Sequence, residues 1–220
     1  MTDATLIIFD CDGVLVDSEP LANAVLHAEL ARLGDALSLA ESTALFTGLS
    51  LPSCTEIIRR RLGRPPPADF LPRLRSGVAA AFRRDLAPVA GVEAVLQGLD
   101  RPYCVASSGS HEKIRFSLGL TGLEHFFPPD RIFSADDVVR GKPAPDLFLH
   151  AAGAMGFHPG NCVVVEDSRP GVTAARAAGM AVLAFAGRGE PQSLREAGAE
   201  VVFTSMDELP ALLRASAPGA

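Results

Sequence analysis

Leu6-Ile7-Ile8-Phe9-Asp10-Cys11-Asp12-Gly13-Val14-Leu15-Val16-Asp17-Ser18-Glu19 is the stretch that decides the fold. Four consecutive apolar residues, two of them β-branched, read as a strand buried on both faces, which is the mark of a parallel sheet. The strand runs directly into two carboxylates, Asp10 and Asp12, at the carboxyl edge where open α/β sheets place their ligands. Like charges this close are costly to bury without a cation or a shared proton. Gly13 lets the chain turn sharply after them. A simple strand-ending Asp turn explains the pair equally well when it is taken alone.

Outward from this stretch, short apolar runs recur at Tyr103 to Ser107, Arg131 to Phe133, Cys162 to Val165, Ala181 to Phe185 and Val201 to Phe203. Helical patterns separate most of them, which is the signature of βαβ units. The expected fold is therefore α/β, a Rossmann-like parallel sheet core. The interval between the first two runs breaks the alternation. It reads as amphipathic helices over Pro20 to Leu33, Leu39 to Phe46, Pro52 to Leu62 and Phe70 to Arg84, punctuated by Gly34, Gly48 and Arg64-Pro65-Pro66-Pro67. An all-α insertion of this size cannot share the core of the sheet, so a separate helical cap over 17–86 is expected. Residues 1–16 and 87–215 would form the sheet core, with hinges near Val16 and Pro88 and a frayed tail at 216–220.

Three further places bear on the acid pair. The second strand ends in Ser107-Ser108-Gly109-Ser110, where hydroxyls and amides at the same edge would cradle an anion, although a plain turn also fits. Lys142 lies in Gly141-Lys142-Pro143-Ala144-Pro145-Asp146, and the proline after it restricts its backbone. Only Lys113 and Lys142 among the 20 basic residues are lysine, so each raises a specific question. Val163-Val164-Val165-Glu166-Asp167-Ser168 sends another strand into paired acids. Asp10, Asp12, Glu166 and Asp167 would then surround one point, a site for a hard divalent cation, Mg²⁺ first.

Composition excludes other classes. The 220-residue chain carries a formal charge of −6 and has a pI of about 5.4, so it lacks the basic excess that a nucleic-acid backbone demands. No apolar run approaches the roughly 20 residues needed to span a bilayer, and the N-terminus lacks a cationic leader, so no membrane partner and a cytoplasmic location are expected. Cys11, Cys54, Cys104 and Cys162 form no CxxC pair and read as buried hydrophobes. The five histidines make no metal-binding spacing, and His111 and Lys113, which follow the Ser-Gly loop, could touch substrate, although a solvated helix start explains them as well. Arg59-Arg60-Arg61 reads as the exposed side of a helix. A monomer is the default for a chain of this size.

Asp10-x-Asp12-Gly13-Val14-Leu15-Val16-Asp17-Ser18-Glu19, Ser107, Lys142-Pro143 and Glu166-Asp167 together resemble the four ordered motifs of the haloacid dehalogenase superfamily, in its phosphatase and phosphomutase branch. The resemblance covers nearly the whole chain and is nearest to sugar-phosphate phosphatases of the 6-phosphogluconate phosphatase kind. It implies that Asp10 is a nucleophile forming an aspartyl-phosphate and that Asp12 is the acid and base, kept protonated beforehand with help from Asp10. Mg²⁺ would be held by Asp10, Asp167 and the Asp12 carbonyl, with Glu166 beside it, directly or through water. Ser107, Ser108, Gly109 and Lys142 would bind the phosphoryl group of a small phosphorylated metabolite. Ser18, Glu19, Thr47, Gly48 and Ser50 would contribute specificity from the cap. β-Phosphoglucomutases resemble the chain in these motifs, but carry a histidine and a lysine where this sequence has Ala22 and Thr47, which favours hydrolysis over phosphoryl return. A receiver-type phosphoacceptor domain is a further alternative, although its acids and lysine follow a different order and it has no helical insertion.

Overall fold

The computed structural model describes residues 6–46 and 51–215. By its internal contacts the chain divides into two compact units, Met1–Asp17 with Ala87–Ala220, and Ser18–Leu86.

The first unit is built on six parallel strands: β1 (Leu6–Phe9), β2 (Tyr103–Ser107), β3 (Ile132–Ser134), β4 (Cys162–Glu166), β5 (Ala181–Phe185) and β6 (Val201–Phe203). Their order is β3-β2-β1-β4-β5-β6, the doubly wound arrangement expected from the βαβ alternation. β1 is central and fully buried, which accounts for its unbroken apolar composition. Its register puts Phe9 beside Val105 on one side and Val165 on the other, so β4 runs one residue and β2 two residues beyond the end of β1. Alternate residues of these strands, Leu6, Ile8, Cys104, Ala106 and Val164, share a core with α7 (Asp146–Ala154) and α8 (Arg169–Ala177). The alanines of both helices let them approach the sheet closely, and each buried branched side chain adds about 1.5–3 kcal/mol of transfer free energy. α6 (His111–Leu120) follows β2 and lies against β3.

The second unit is all-α: α1 (Glu19–Arg32), α2 (Leu39–Phe46), α3 (Leu51–Leu62) and α4 (Phe70–Asp85). Leu26, Leu30, Phe46, Cys54, Ile58 and Phe70 form its own core. Arg73 clasps Glu29 with two hydrogen bonds of 3.1 and 3.0 Å, joining α4 to α1. The arginine run over 59–61 lies on the exposed side of α3, as expected, where Arg59 and Arg60 pair with Glu56, and Arg61 grips Asp35 at 2.7 and 2.8 Å.

Three short helices of the first unit, α5 (Val92–Gln97), α9 (Pro191–Glu196) and α10 (Leu209–Ala215), have no counterpart among the helices named from sequence. β3 begins at Ile132 instead of Arg131, which closes a 3-10 turn, and extends to Ser134. Among the described residues no helix is long and apolar enough to cross a membrane.

Candidate active site

The carboxyl ends of β1, β2 and β4 lie side by side because the three strands are parallel neighbours. Asp10 continues β1 with its amide donating to the Val165 carbonyl at 2.9 Å, and Glu166 closes β4. Lys142 enters between them from the loop before α7, with a cis peptide to Pro143. Its Nζ lies 2.6 Å from Asp10 Oδ1, 2.8 Å from Glu166 Oε1 and 3.2 Å from the Ala106 carbonyl, and 4.7 Å from the centre of the Phe148 ring. Its side chain is only 4% exposed, so the charge is held by partners and not by water.

Asp10, Glu166 and Asp167 place carboxylate oxygens within 4.8 Å of one another. The fourth predicted acid diverges: the Asp12 carboxylate accepts a hydrogen bond from Lys113 Nζ at 2.6 Å. Three acids are gathered at one point where the sequence suggested four. Lys113 does stand at the start of α6 with its side chain 42% exposed, and it gives Asp12 a basic partner beside the neighbouring Asp10.

Two glycines make room for the acids. Gly13 has φ +83°, a left-handed conformation that favours glycine, and a Cβ on it would overlap the Asp167 carboxylate. A Cβ on Gly171 would overlap the Glu166 carboxylate. Glu166 is further tied down by the Ser168 amide, which donates to Oε2 at 2.6 Å, while Ser168 Oγ accepts from the Gly171 amide to cap α8. Both oxygens of Glu166 thus already accept a protein hydrogen bond.

Ser107 is buried at the end of β2, and its Oγ accepts from the Gly109 amide at 3.1 Å. That geometry leaves the Ser107 proton to donate elsewhere, but turns the Gly109 amide inward and not towards an anion. Ser108 is exposed on the same loop. Sequence reasoning passed over the brace behind this loop. Ser134, fully buried on β3, donates to the Gly109 carbonyl at 2.7 Å, and its amide donates to Asp137 Oδ2 at 2.8 Å. The other oxygen of Asp137 meets His111 Nε2 at 2.8 Å. The polar Ser134 at the end of an apolar run was the available signal.

Charge and burial shape the site's acidity. Burial, with Glu166 and Asp12 adding repulsion, pushes the Asp10 carboxyl up to about 7 against the pull of Lys142. For Lys142 burial is the largest influence and opposes the charge, yet Asp10 and Glu166 together outweigh it and raise the ammonium above its ordinary value. The Cys11 thiol, between the two acids, is pushed well up by burial and offers no nucleophile. All four cysteines are buried and unpaired with one another, as the sequence indicated.

The donor set fits a divalent cation. Asp10, Glu166 and Asp167 against Lys142 leave two formal negative charges, and the cluster consists of the hard oxygens that Mg²⁺ prefers. Of the proposed specificity residues, Ser18 and Glu19 open α1 in the helical unit, with Ser18 buried, while Thr47, Gly48 and Ser50 lie outside the described residues.

The model of haloacid dehalogenase-like hydrolases matches residues 4–179. The 6-phosphogluconate phosphatase of Escherichia coli strain K12 is 33% identical over 219 residues, 98% of this chain and 97% of that one. A haloacid dehalogenase-like protein of unknown function from Agrobacterium tumefaciens superimposes with a TM-score of 0.88 at 37% identity, covering 98% of this chain and 100% of the other. A HAD family hydrolase from Deinococcus radiodurans R1, solved with bound phosphate and sodium, gives a TM-score of 0.82 at 31% identity over 98% and 97% of the two chains. With the strand order, the acid-lysine cluster and this match over most of its length, the chain belongs to the haloacid dehalogenase-like hydrolase family.

Proposed function

We propose that this hydrolase is a Mg²⁺-dependent phosphatase acting on a small phosphate monoester, a sugar or sugar-acid phosphate with 6-phosphogluconate first among them, through an aspartyl-phosphate on Asp10. The observation that carries the reading is the cluster at the strand ends, where Lys142 Nζ bridges Asp10 and Glu166 at 2.6 and 2.8 Å. The substrate class draws support from the relative that matches nearly the whole chain at 33% identity and is named for 6-phosphogluconate.

In the proposed reaction an Asp10 oxygen attacks phosphorus, the ester P–O bond breaks, and Asp12, carrying a proton on Oδ1 while Lys113 holds Oδ2, gives it to the leaving alkoxide. Water then attacks the phosphorus of the aspartyl-phosphate, loses its proton to Asp12, and the bond to Asp10 breaks with release of inorganic phosphate. Lys142 and the Ser107 hydroxyl meet the phosphoryl oxygens, whose negative charge the buried ammonium is preorganised to receive. Glu166, with both oxygens already accepting from Lys142 and Ser168, positions the lysine. The carboxylates of Asp10 and Asp167, with the Asp12 carbonyl, would hold Mg²⁺. When bound, the ion supplies further neutralisation of phosphoryl charge.

The test is phosphate release from a panel of sugar and sugar-acid phosphates, with Mg²⁺ and with chelator, for the wild type and Asp10→Asn. Release should require the metal, and Asp10→Asn should lower kcat on the order of 10⁴-fold or more, as loss of a nucleophile does elsewhere. If no ester is hydrolysed while phosphoglucose isomers interconvert, the chain is a phosphomutase instead.

A further inference from the structure

Each of the chain's two lysines ends on one member of the first strand's acid pair, Lys142 on Asp10 and Lys113 on Asp12. Lys142 belongs to the phosphatase reading above, which gives Lys113 no step of its own. Lys113 stands in the first turn of α6, 101 residues along the chain from Asp12. Its backbone is fixed by Ser110, whose Oγ accepts from the Lys113 amide at 3.2 Å. Its stem crosses Gly109, where a Cβ would come within 3.2 Å of Lys113 Cδ. Any side chain at 109 would crowd that path. The ammonium reaches Asp12 Oδ2 at 2.6 Å, a short charge-assisted contact.

The turn that carries Asp12 is equally constrained, with the Gly13 amide donating to the Val16 carbonyl at 2.8 Å. A fixed backbone still leaves an aspartate free to rotate about two side-chain bonds. A carboxyl that hands a proton to one oxygen and takes it from another works only when it points along the reacting bond. The choice of lysine is informative in a chain that otherwise uses arginine: a guanidinium fork engages both oxygens of a carboxylate, while an ammonium engages one.

We propose that Lys113 is a positioning residue for Asp12, holding its carboxyl by Oδ2 in the orientation that serves the leaving group and the attacking water. The proposal rests on the reading of Asp12 as the group that moves the proton. Lys113 itself neither transfers a proton nor binds the phosphoryl group.

The role is separable by leaving group, because a nitrophenolate departs without protonation and a sugar alkoxide does not. Lys113→Met should lower kcat on sugar phosphates on the order of tenfold more than on p-nitrophenyl phosphate, as expected for a displaced proton donor. Asp12→Asn should show the same preference more strongly, and adding Lys113→Met to it should cost nothing further, since the lysine acts through that carboxyl. An equal loss on both esters, a rise in KM with kcat kept, or effects of the two substitutions that multiply would overturn the positioning role while leaving the phosphatase reading intact. A leaving-group preference absent from Asp12→Asn would remove both. Crystal structures of the wild type and Lys113→Met examine the same point without turnover, even for a protein that hydrolyses no ester. One Asp12 rotamer on Lys113, lost or replaced in the variant, supports the proposal, and an unchanged rotamer overturns it.

Discussion

Glu166 shows how much a single residue of this site depends on its neighbours. Lys142 and the Ser168 amide hold its two oxygens, and the space for its carboxylate exists only because residue 171 has no Cβ. A glycine in a helix normally costs about 1 kcal/mol relative to alanine, so Gly171→Ala would be stabilising on propensity alone. Displacing a buried, doubly bonded carboxylate costs more, about 1–3 kcal/mol or above. Gly171→Ala is therefore expected to lower stability in urea unfolding and, by shifting Glu166 and with it Lys142, to reduce kcat on the order of 10²-fold. An unchanged kcat would show that Glu166 does not position the lysine. The acids and Lys142 were legible because each is announced locally, by a strand that ends in charge or by a rare lysine before proline. Lys113 was marked by the same rarity, but its pairing with Asp12 was not legible, nor was the role of Ser134. Asp12 and Gly109 lie in the turns that follow β1 and β2, far along the chain from Lys113 and Ser134, and a pair 101 residues apart leaves no spacing to read.

The strands and the four longer helices of the insertion were legible for a related reason. Continuous apolar runs of three to five residues and periodic runs of eight or more are strong signals. α5, α9 and α10 have six or seven residues each, fewer than two turns, too short for a period to show. The end of β3 illustrates what an element contributes beyond its own hydrogen bonds. β3 is at the edge of the sheet and only three residues long, yet it aligns Ser134 with Ser107 and so places a hydroxyl behind the loop that follows β2. Ser134→Ala removes the donor to the Gly109 carbonyl, and a buried acceptor deprived of its donor costs about 1–3 kcal/mol. The expected result is a lower urea midpoint together with weaker inhibition by inorganic phosphate. A variant equally stable and equally inhibited would show that the loop holds its shape without this brace.

At the scale of the whole molecule, the excess of acid in the site ties stability to pH. In the metal-free protein Asp10 titrates near 7, pushed up chiefly by burial, whereas in the unfolded chain it returns to its ordinary value of 3.8. Between these values the folded state keeps a proton that the unfolded state releases. Folding then takes up a proton, and the unfolding free energy falls as pH rises. The contribution of Asp10 is fully present below about 3.8 and gone above about 7. Asparagine cannot titrate, so the difference between the wild type and Asp10→Asn isolates this carboxyl. In chelator the wild type should lose Tm relative to Asp10→Asn as pH rises through that window and run parallel to it above. Mg²⁺, which needs the carboxylate, competes with the proton, so its addition near pH 7 should raise the Tm of the wild type more than that of Asp10→Asn. A wild type that instead gains on Asp10→Asn with rising pH would mean that the pull of Lys142 at 2.6 Å outweighs burial, and that the nucleophile stands ionised before any cation arrives.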